Sequence, residues 1–131
     1  MAPTSLRVLV VDDTPAQRLL TAELLRSLGH SVDMAVNGAE AVRAVSVTDY
    51  DLVLMDYEMP VMDGIAATRK IKALRDRALL PVVMVSGRSD AHVRAAAADA
   101  GIAHYVQRPL GVSTLKHMLS RYTDASATAA L

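Results

Sequence analysis

The stretch LVLMDYEMP, Leu52–Pro60, runs four apolar residues straight into Asp56, with Glu58 two positions later and Pro60 closing the run. A short apolar segment bounded by polar and turn residues reads as a strand buried on both faces, as in a parallel sheet covered by helices. Ending such a strand on a carboxylate is costly unless the charge is solvated or paired. Asp56 is therefore either a solvated turn residue or a group placed for chemistry.

Outward from this stretch the same texture recurs. Leu6–Val11 is short and nearly all apolar, a second buried strand. Thr14 then offers an N-cap, Pro15 a first helical residue and Gln17 the far half of a capping box. That helix carries Leu20, Leu24 and Leu28 at i, i+4 spacing and stops at Gly29. Ser31–Val36 alternates Val32, Met34 and Val36 with more polar neighbours, as an edge strand with one covered face does. Asn37 and Glu40 repeat the cap logic for a helix through Val42 and Val45. Later strands are expected at Pro81–Val85 and Ile102–Val106, with helices from Gly64 to about Arg75, up to Gly101, and over Gly111–Tyr122. Alternation of strand and helix implies an α/β fold: a parallel sheet with helices on both faces.

Length and composition agree. At 131 residues, with 52% hydrophobic and 21% charged, the chain can bury one substantial core. One domain is expected over 1–131, with its core at about 6–122 and a weakly patterned tail at 123–131. Without Phe or Trp, that core must be built from Val, Leu, Ile, Met and Ala. Fourteen basic residues balance fourteen acidic ones, so no overall basic field draws the chain to nucleic acid or an anionic membrane. Zero cysteines remove disulfide, thiolate and Cys-type zinc chemistry, which fits a reducing cytoplasm. No apolar run approaches the ~20 residues needed to span a bilayer, and the start lacks a secretory layout.

Open α/β sheets bind ligands beyond the carboxyl ends of their strands. Here those ends carry Asp12 and Asp13, then Asp56, then Ser86, with Arg108 just past the last strand. Each alone has an ordinary explanation as a turn residue, cap or surface charge. Together they bring carboxylates, a hydroxyl and a guanidinium to one rim. Clustered carboxylates repel unless a cation intervenes, and an all-oxygen donor set suits Mg2+. An Asp beside such a metal can attack phosphorus, with Ser86 and Arg108 stabilising the equatorial oxygens.

The segments VLVVDDTPAQRLLTAELLRSLGHSVDMAVNGAEAV, DLVLMDYEMPVMDGIAATRKI, LPVVMVSG and AGIAHYVQRPL together resemble the CheY-like receiver domain of two-component response regulators, from about Leu6 to Tyr122. The resemblance implies a flavodoxin-like five-stranded sheet of order 2-1-3-4-5. It implies phosphoryl transfer to Asp56 from a histidine kinase or phosphotransfer protein, with Mg2+ held directly by Asp13 and Asp56, by Asp12 through water, and by the Glu58 backbone carbonyl. Ser86 matches the hydroxyl residue that follows the phosphate, and Tyr105 the aromatic whose rotation reports activation. A downstream partner would then bind the face made by the fourth helix, fifth strand and fifth helix, a face that also allows a homodimer.

Two positions depart from that family's pattern. Arg108 stands where Lys is usual; its planar fork is no equivalent of a compact ammonium, and a lost charge-assisted contact is worth ~1.5–3 kcal/mol. Arg108 either keeps the phosphoryl contact in a shifted pose or pairs with a pocket carboxylate beforehand. Gly87 stands where a small Cβ-bearing residue is usual; it either loosens the coupling between Ser86 and Tyr105 or satisfies a local backbone angle. The Arg108-Pro109 bond is a candidate cis peptide. Glu58 and Arg88 lie near the path of attacking water and are candidates for tuning acyl-phosphate lifetime. The four His residues show no ligand spacing.

The expected function is a cytoplasmic single-domain response regulator. Its alternatives are a binding module that no longer depends on phosphate, motivated by Arg108, and a receiver cut from a hybrid histidine kinase. A haloacid dehalogenase-type phosphatase would need Asp where Glu58 stands. An FMN-binding flavodoxin would need a Ser/Thr-rich loop after the first strand.

Overall fold

The structure is a computed structural model, and it describes residues 4–87 and 91–123. Five strands, β1 (Arg7–Val11), β2 (Ser31–Ala35), β3 (Leu52–Asp56), β4 (Val82–Ser86) and β5 (His104–Gln107), alternate with five helices. The helices are α1 (Pro15–Ser27), α2 (Gly38–Val47), α3 (Gly64–Lys72), α4 (Ala91–Asp99) and α5 (Val112–Leu119). All pairings are parallel and the sheet order is β2-β1-β3-β4-β5, the flavodoxin-like arrangement expected.

The apolar strands are apolar because each serves two cores. On one face Leu9, Val11, Val53, Met55, Val82 and Met84 pack with Ala41 and Val45 of α2, Ala67 and Ile71 of α3, and Ala97 of α4. On the other, Val8, Val10, Leu52, Leu54 and Val83 pack with Leu25 of α1 and Leu115, Met118 and Leu119 of α5. Alternate residues of a strand point to opposite faces, so β3 is buried at every position. Small Ala contacts from α2, α3 and α4 let those helices lie close to the sheet without any large aromatic in the core.

Local signals explain most boundaries. Asn37 caps α2 by accepting from the Glu40 N–H at 2.8 Å, and Asp63 caps α3 by accepting from the Ala66 N–H at 2.8 Å. Gly29 and Gly101 close α1 and α4 at φ +94° and +92°, a region that favours glycine.

Elsewhere the structure corrects the reading. Leu20 is 61% exposed and Leu24 and Leu28 are only partly covered; the face α1 buries is Thr21, Ala22 and Leu25. The helix lies on the sheet one residue out of phase with its leucine row. Met34 and Val36 are exposed as well, because the edge strand β2 turns Ala35 toward the α2 side. Helix α3 stops at Lys72, whose ammonium donates to the Leu80 and Ala78 carbonyls and holds the following loop in place. Asp76 in that loop has φ +64°.

His30 ties the start of β1 to the loop after α1. Its Nδ1 accepts from the Leu6 N–H at 3.0 Å, which requires an unprotonated Nδ1, and burial lowers its pKa below the usual 6.5. A histidine depressed in the folded state binds protons more readily when unfolded, so its contribution is complete above about pH 6.5 and is lost as pH falls below that value. Urea unfolding of the wild type and His30→Ala should give a stability difference that shrinks between pH 7.5 and pH 5. A difference independent of pH would contradict this role.

Candidate functional site

Register brings the acidic residues together. Val11 pairs with Met55, so Asp12 and Asp56 follow one another off adjacent strands. Asp56 pairs with Val85, which sets Ser86 one step beyond it on the opposite side. Asp12, Asp13 and Asp56 each offer a carboxylate oxygen, and these oxygens all lie within 4.8 Å of one another. Asp12 and Asp56 are buried while Asp13 is more open. A pocket of about 300 Å³ opens over Asp13, Asp56, Glu58, Gly87 and Arg108, with Thr14 and Gln17 on its α1 wall.

The loop after β3 is folded tightly back onto the strand end. The Gly64 N–H donates to the Tyr57 carbonyl at 3.0 Å, and a Cβ at Gly64 would collide with the backbone oxygen of Asp56. Gly64 is thus required by close approach, and it fixes where Asp56 leaves the sheet. The Asp56 carboxyl is pushed up to about 6, first by desolvation and then by the Asp12 charge, with a smaller push from Asp13. Arg108 and a hydrogen bond from the Glu58 backbone N–H pull the other way.

Arg108 resolves one alternative left open by the sequence. Its backbone N–H donates to the Ser86 carbonyl at 2.8 Å, extending the β4–β5 pairing, and its bond to Pro109 is cis. The guanidinium Nη2 lies 2.7 Å from Asp12 Oδ2 and 3.7 Å from Asp56 Oδ1. It therefore pairs with the pocket carboxylates. Asp12 is held further: Oδ1 accepts from the Thr14 N–H at 2.9 Å, and its backbone carbonyl accepts from Arg18 Nη1 at 2.8 Å.

Other residues fall as follows. Ser86 is fully buried at the end of β4, below the pocket rather than lining it. Gly87 has an ordinary φ, and among the described residues a Cβ there would meet nothing within 4 Å, so neither the backbone angle nor a described neighbour demands glycine. Tyr105 pairs with Met84 in the sheet and packs beside the first core, with the Arg94 guanidinium 4.7 Å from its ring centre. Arg88 lies outside the described residues.

Arg18, Gln17 and Arg94 also bear on the site, through the Asp12 carbonyl, the pocket wall and the Tyr105 ring. The capping box expected of Thr14 and Gln17 does not form, since the Thr14 side chain makes no cap bond. Gln17 faces the acidic pocket instead. Its i+3 spacing from a Thr was the misleading signal. For Arg18 and Arg94 no local pattern existed.

Comparison with known proteins places this geometry. The response regulator receiver domain family matches residues 8–120, and the chain belongs to that family, a component of two-component signalling. It is 38% identical over 123 residues to the gliding motility regulatory protein of Myxococcus xanthus, covering 93% of this chain and 16% of that protein. It is 37% identical over 120 residues to the sensor protein GacS of Pseudomonas syringae, covering 89% of this chain and 13% of that protein. The chain thus spans a small part of these relatives. Among solved structures, the receiver domain of a Pseudomonas aeruginosa sensor histidine kinase, with a magnesium ion coordinated in its active-site cleft, superposes with TM-score 0.84 at 31% identity, covering 90% of this chain and 97% of that one. Chemotaxis protein CheY4 of Vibrio cholerae shares the fold, with TM-score 0.85 at 24% identity, covering 88% of this chain and 97% of that one. Among the described residues no helix is long and apolar enough to cross a membrane.

Two substitutions test this geometry. Asp56 has a folded-state pKa raised from 3.8 to about 6, so its contribution to stability is complete below about pH 4 and lost as pH rises through 6. In metal-free buffer, Asp56→Asn should stabilise the fold by about 1–3 kcal/mol at pH 7.5, with the gain largely gone at pH 4; a destabilised variant would contradict the desolvation account. Gly64→Ala should cost about 1–3 kcal/mol in urea unfolding, and a neutral result would show that the loop does not bear on the Asp56 carbonyl.

Proposed function

We propose that Asp56 is a phosphoacceptor, loaded from a histidine kinase or phosphotransfer protein in a Mg2+-dependent reaction, and that its modification alters affinity for a downstream protein. The observation that carries this reading is the Asp56 carboxylate at the open end of a central strand, with Asp12 and Asp13 carboxylate oxygens within 4.8 Å. An all-oxygen donor set of few protein ligands fits Mg2+, which keeps several of its own waters. The Asp56 carboxyl is raised to about 6 first by burial and then by the Asp12 charge, which Arg108 offsets only in part. Asp13 and Asp56 would hold the ion with the Glu58 carbonyl, Asp12 acting through water; when bound, the ion supplies charge that neutralises phosphoryl oxygens.

The chain's own groups do the rest. An Asp56 oxygen attacks phosphorus, the P–N bond to the donor histidine breaks, and the leaving imidazole nitrogen takes its electron pair and then a proton. In the metal-free pocket the Asp56 carboxyl, at about 6, is already mostly ionised at neutral pH, and a bound ion would favour the ionised form further. Arg108, 3.7 Å from the Asp56 oxygen, lies close enough to stabilise the charge that arrives. Ser86, Gly87 and Tyr105 form the response path, and Glu58 and Arg88 tune hydrolysis of the acyl phosphate. The face made by α4, β5 and α5 would receive the downstream partner, or a second copy of the chain.

A second reading is a receiver working inside a hybrid kinase, favoured by relatives described as sensor proteins in which this stretch is a minor part. Phosphate-independent binding is favoured by the cation already seated on Asp12. Incubation with Mg2+ and acetyl phosphate, followed by intact mass and peptide mapping, should add one phosphoryl group at Asp56, with none on Asp56→Asn and none in EDTA. An unmodified wild type would overturn the phosphoacceptor reading.

A further inference from the structure

Both Asp12 side-chain oxygens are already engaged: Oδ1 with the Thr14 N–H at 2.9 Å and Oδ2 with Arg108 Nη2 at 2.7 Å. The Asp12 side chain is 3% exposed and that of Arg108 19%, so this pair is poorly screened by water. The same nitrogen is 3.7 Å from Asp56 Oδ1, so one guanidinium serves two of the three carboxylates. Arg108 also walls a second cavity, a groove of about 420 Å³ between α1 and the segment after β5, lined with Leu20, Leu24, Pro109 and Leu110. The side chain therefore stands on the partition between the acidic pocket and an open groove.

We propose that Arg108 is the resident counter-cation of the acidic pocket and competes with the divalent ion for it. The inference rests on the Mg2+ reading above. A divalent ion held by Asp56 and, through water, by Asp12 would meet a guanidinium already paired with Asp12 and 3.7 Å from Asp56, and two cations at that range repel. Ion binding and loss of the Arg108–Asp12 contact are then one equilibrium, and the affinity measured is lowered by the fraction of molecules in which the contact is closed. Arg is suited to this role because its fork is always charged and holds carboxylate geometry that a Lys ammonium does not.

Mn2+ is the probe, read by electron paramagnetic resonance of the free ion, with Mg2+ measured by competition, on wild type, Arg108→Ala and Arg108→Gln. Both variants should bind Mn2+ about 10- to 100-fold more tightly than wild type, the range a charge-assisted contact spans. In wild type the Arg108 Nε–Hε signal, assigned by its absence in Arg108→Lys, should shift as Mg2+ saturates the protein. Circular dichroism of each variant excludes unfolding as the cause. Unchanged or weaker Mn2+ binding in both folded variants overturns the counter-cation role and leaves the metal reading standing. Absence of Mn2+ binding to every protein overturns both.

Discussion

Two carboxylates buried side by side at the end of a parallel sheet demand a nearby cation, and that demand organises this rim. The register between β1 and β3 makes Asp12 and Asp56 neighbours whether or not their charges agree. Backbone pairing along the central strands is cooperative with two apolar cores, so the sheet does not relax to separate them. What yields is the electrostatics. Asp56 rises toward neutrality, and Arg108 crosses from the end of β5 to sit on Asp12.

The framework and the chemistry are divided along the chain. Alternate strand residues feed the two cores, and the first residues past the strands feed the pocket. Loops are held by backbone devices: the close approach of Gly64 under Asp56 and the Asp63 cap on α3. On the far side of β4, Tyr105 lies between the first core and the Arg94 guanidinium. A cation over an aromatic face is a modest attraction, about 0.5–1 kcal/mol at an exposed site, enough to bias a ring orientation without locking it.

Much of this was legible in the residues themselves. Unbroken apolar runs in β1, β3 and β4 announced strands covered on both faces, and the carboxylates closing two of them announced the rim. Helix phase was less legible: the Leu20, Leu24, Leu28 row looked like the buried stripe of α1, yet the helix buries Thr21, Ala22 and Leu25. Spacing gives a periodicity but not which of two adjacent rows meets the sheet when both are apolar. Gln17 misled in the same way, since one spacing serves a cap or a pocket wall. A pocket carboxylate was one of two partners the residues offered Arg108, but which carboxylate was not legible, because Asp12 lies 96 residues away and only the strand order brings them together. Gly87 was ambiguous because one residue type serves either a special backbone angle or mere flexibility, and its φ is ordinary.

The Arg108–Asp12 pair balances the charge of the rim. A double-mutant cycle of Asp12→Asn, Arg108→Gln and the combined variant, by urea unfolding in EDTA at pH 7.5, tests it most directly. A coupling of about 1.5–3 kcal/mol is expected between them. Single effects that add to within about 0.5 kcal/mol would mean the two side chains do not sense each other, and would contradict it.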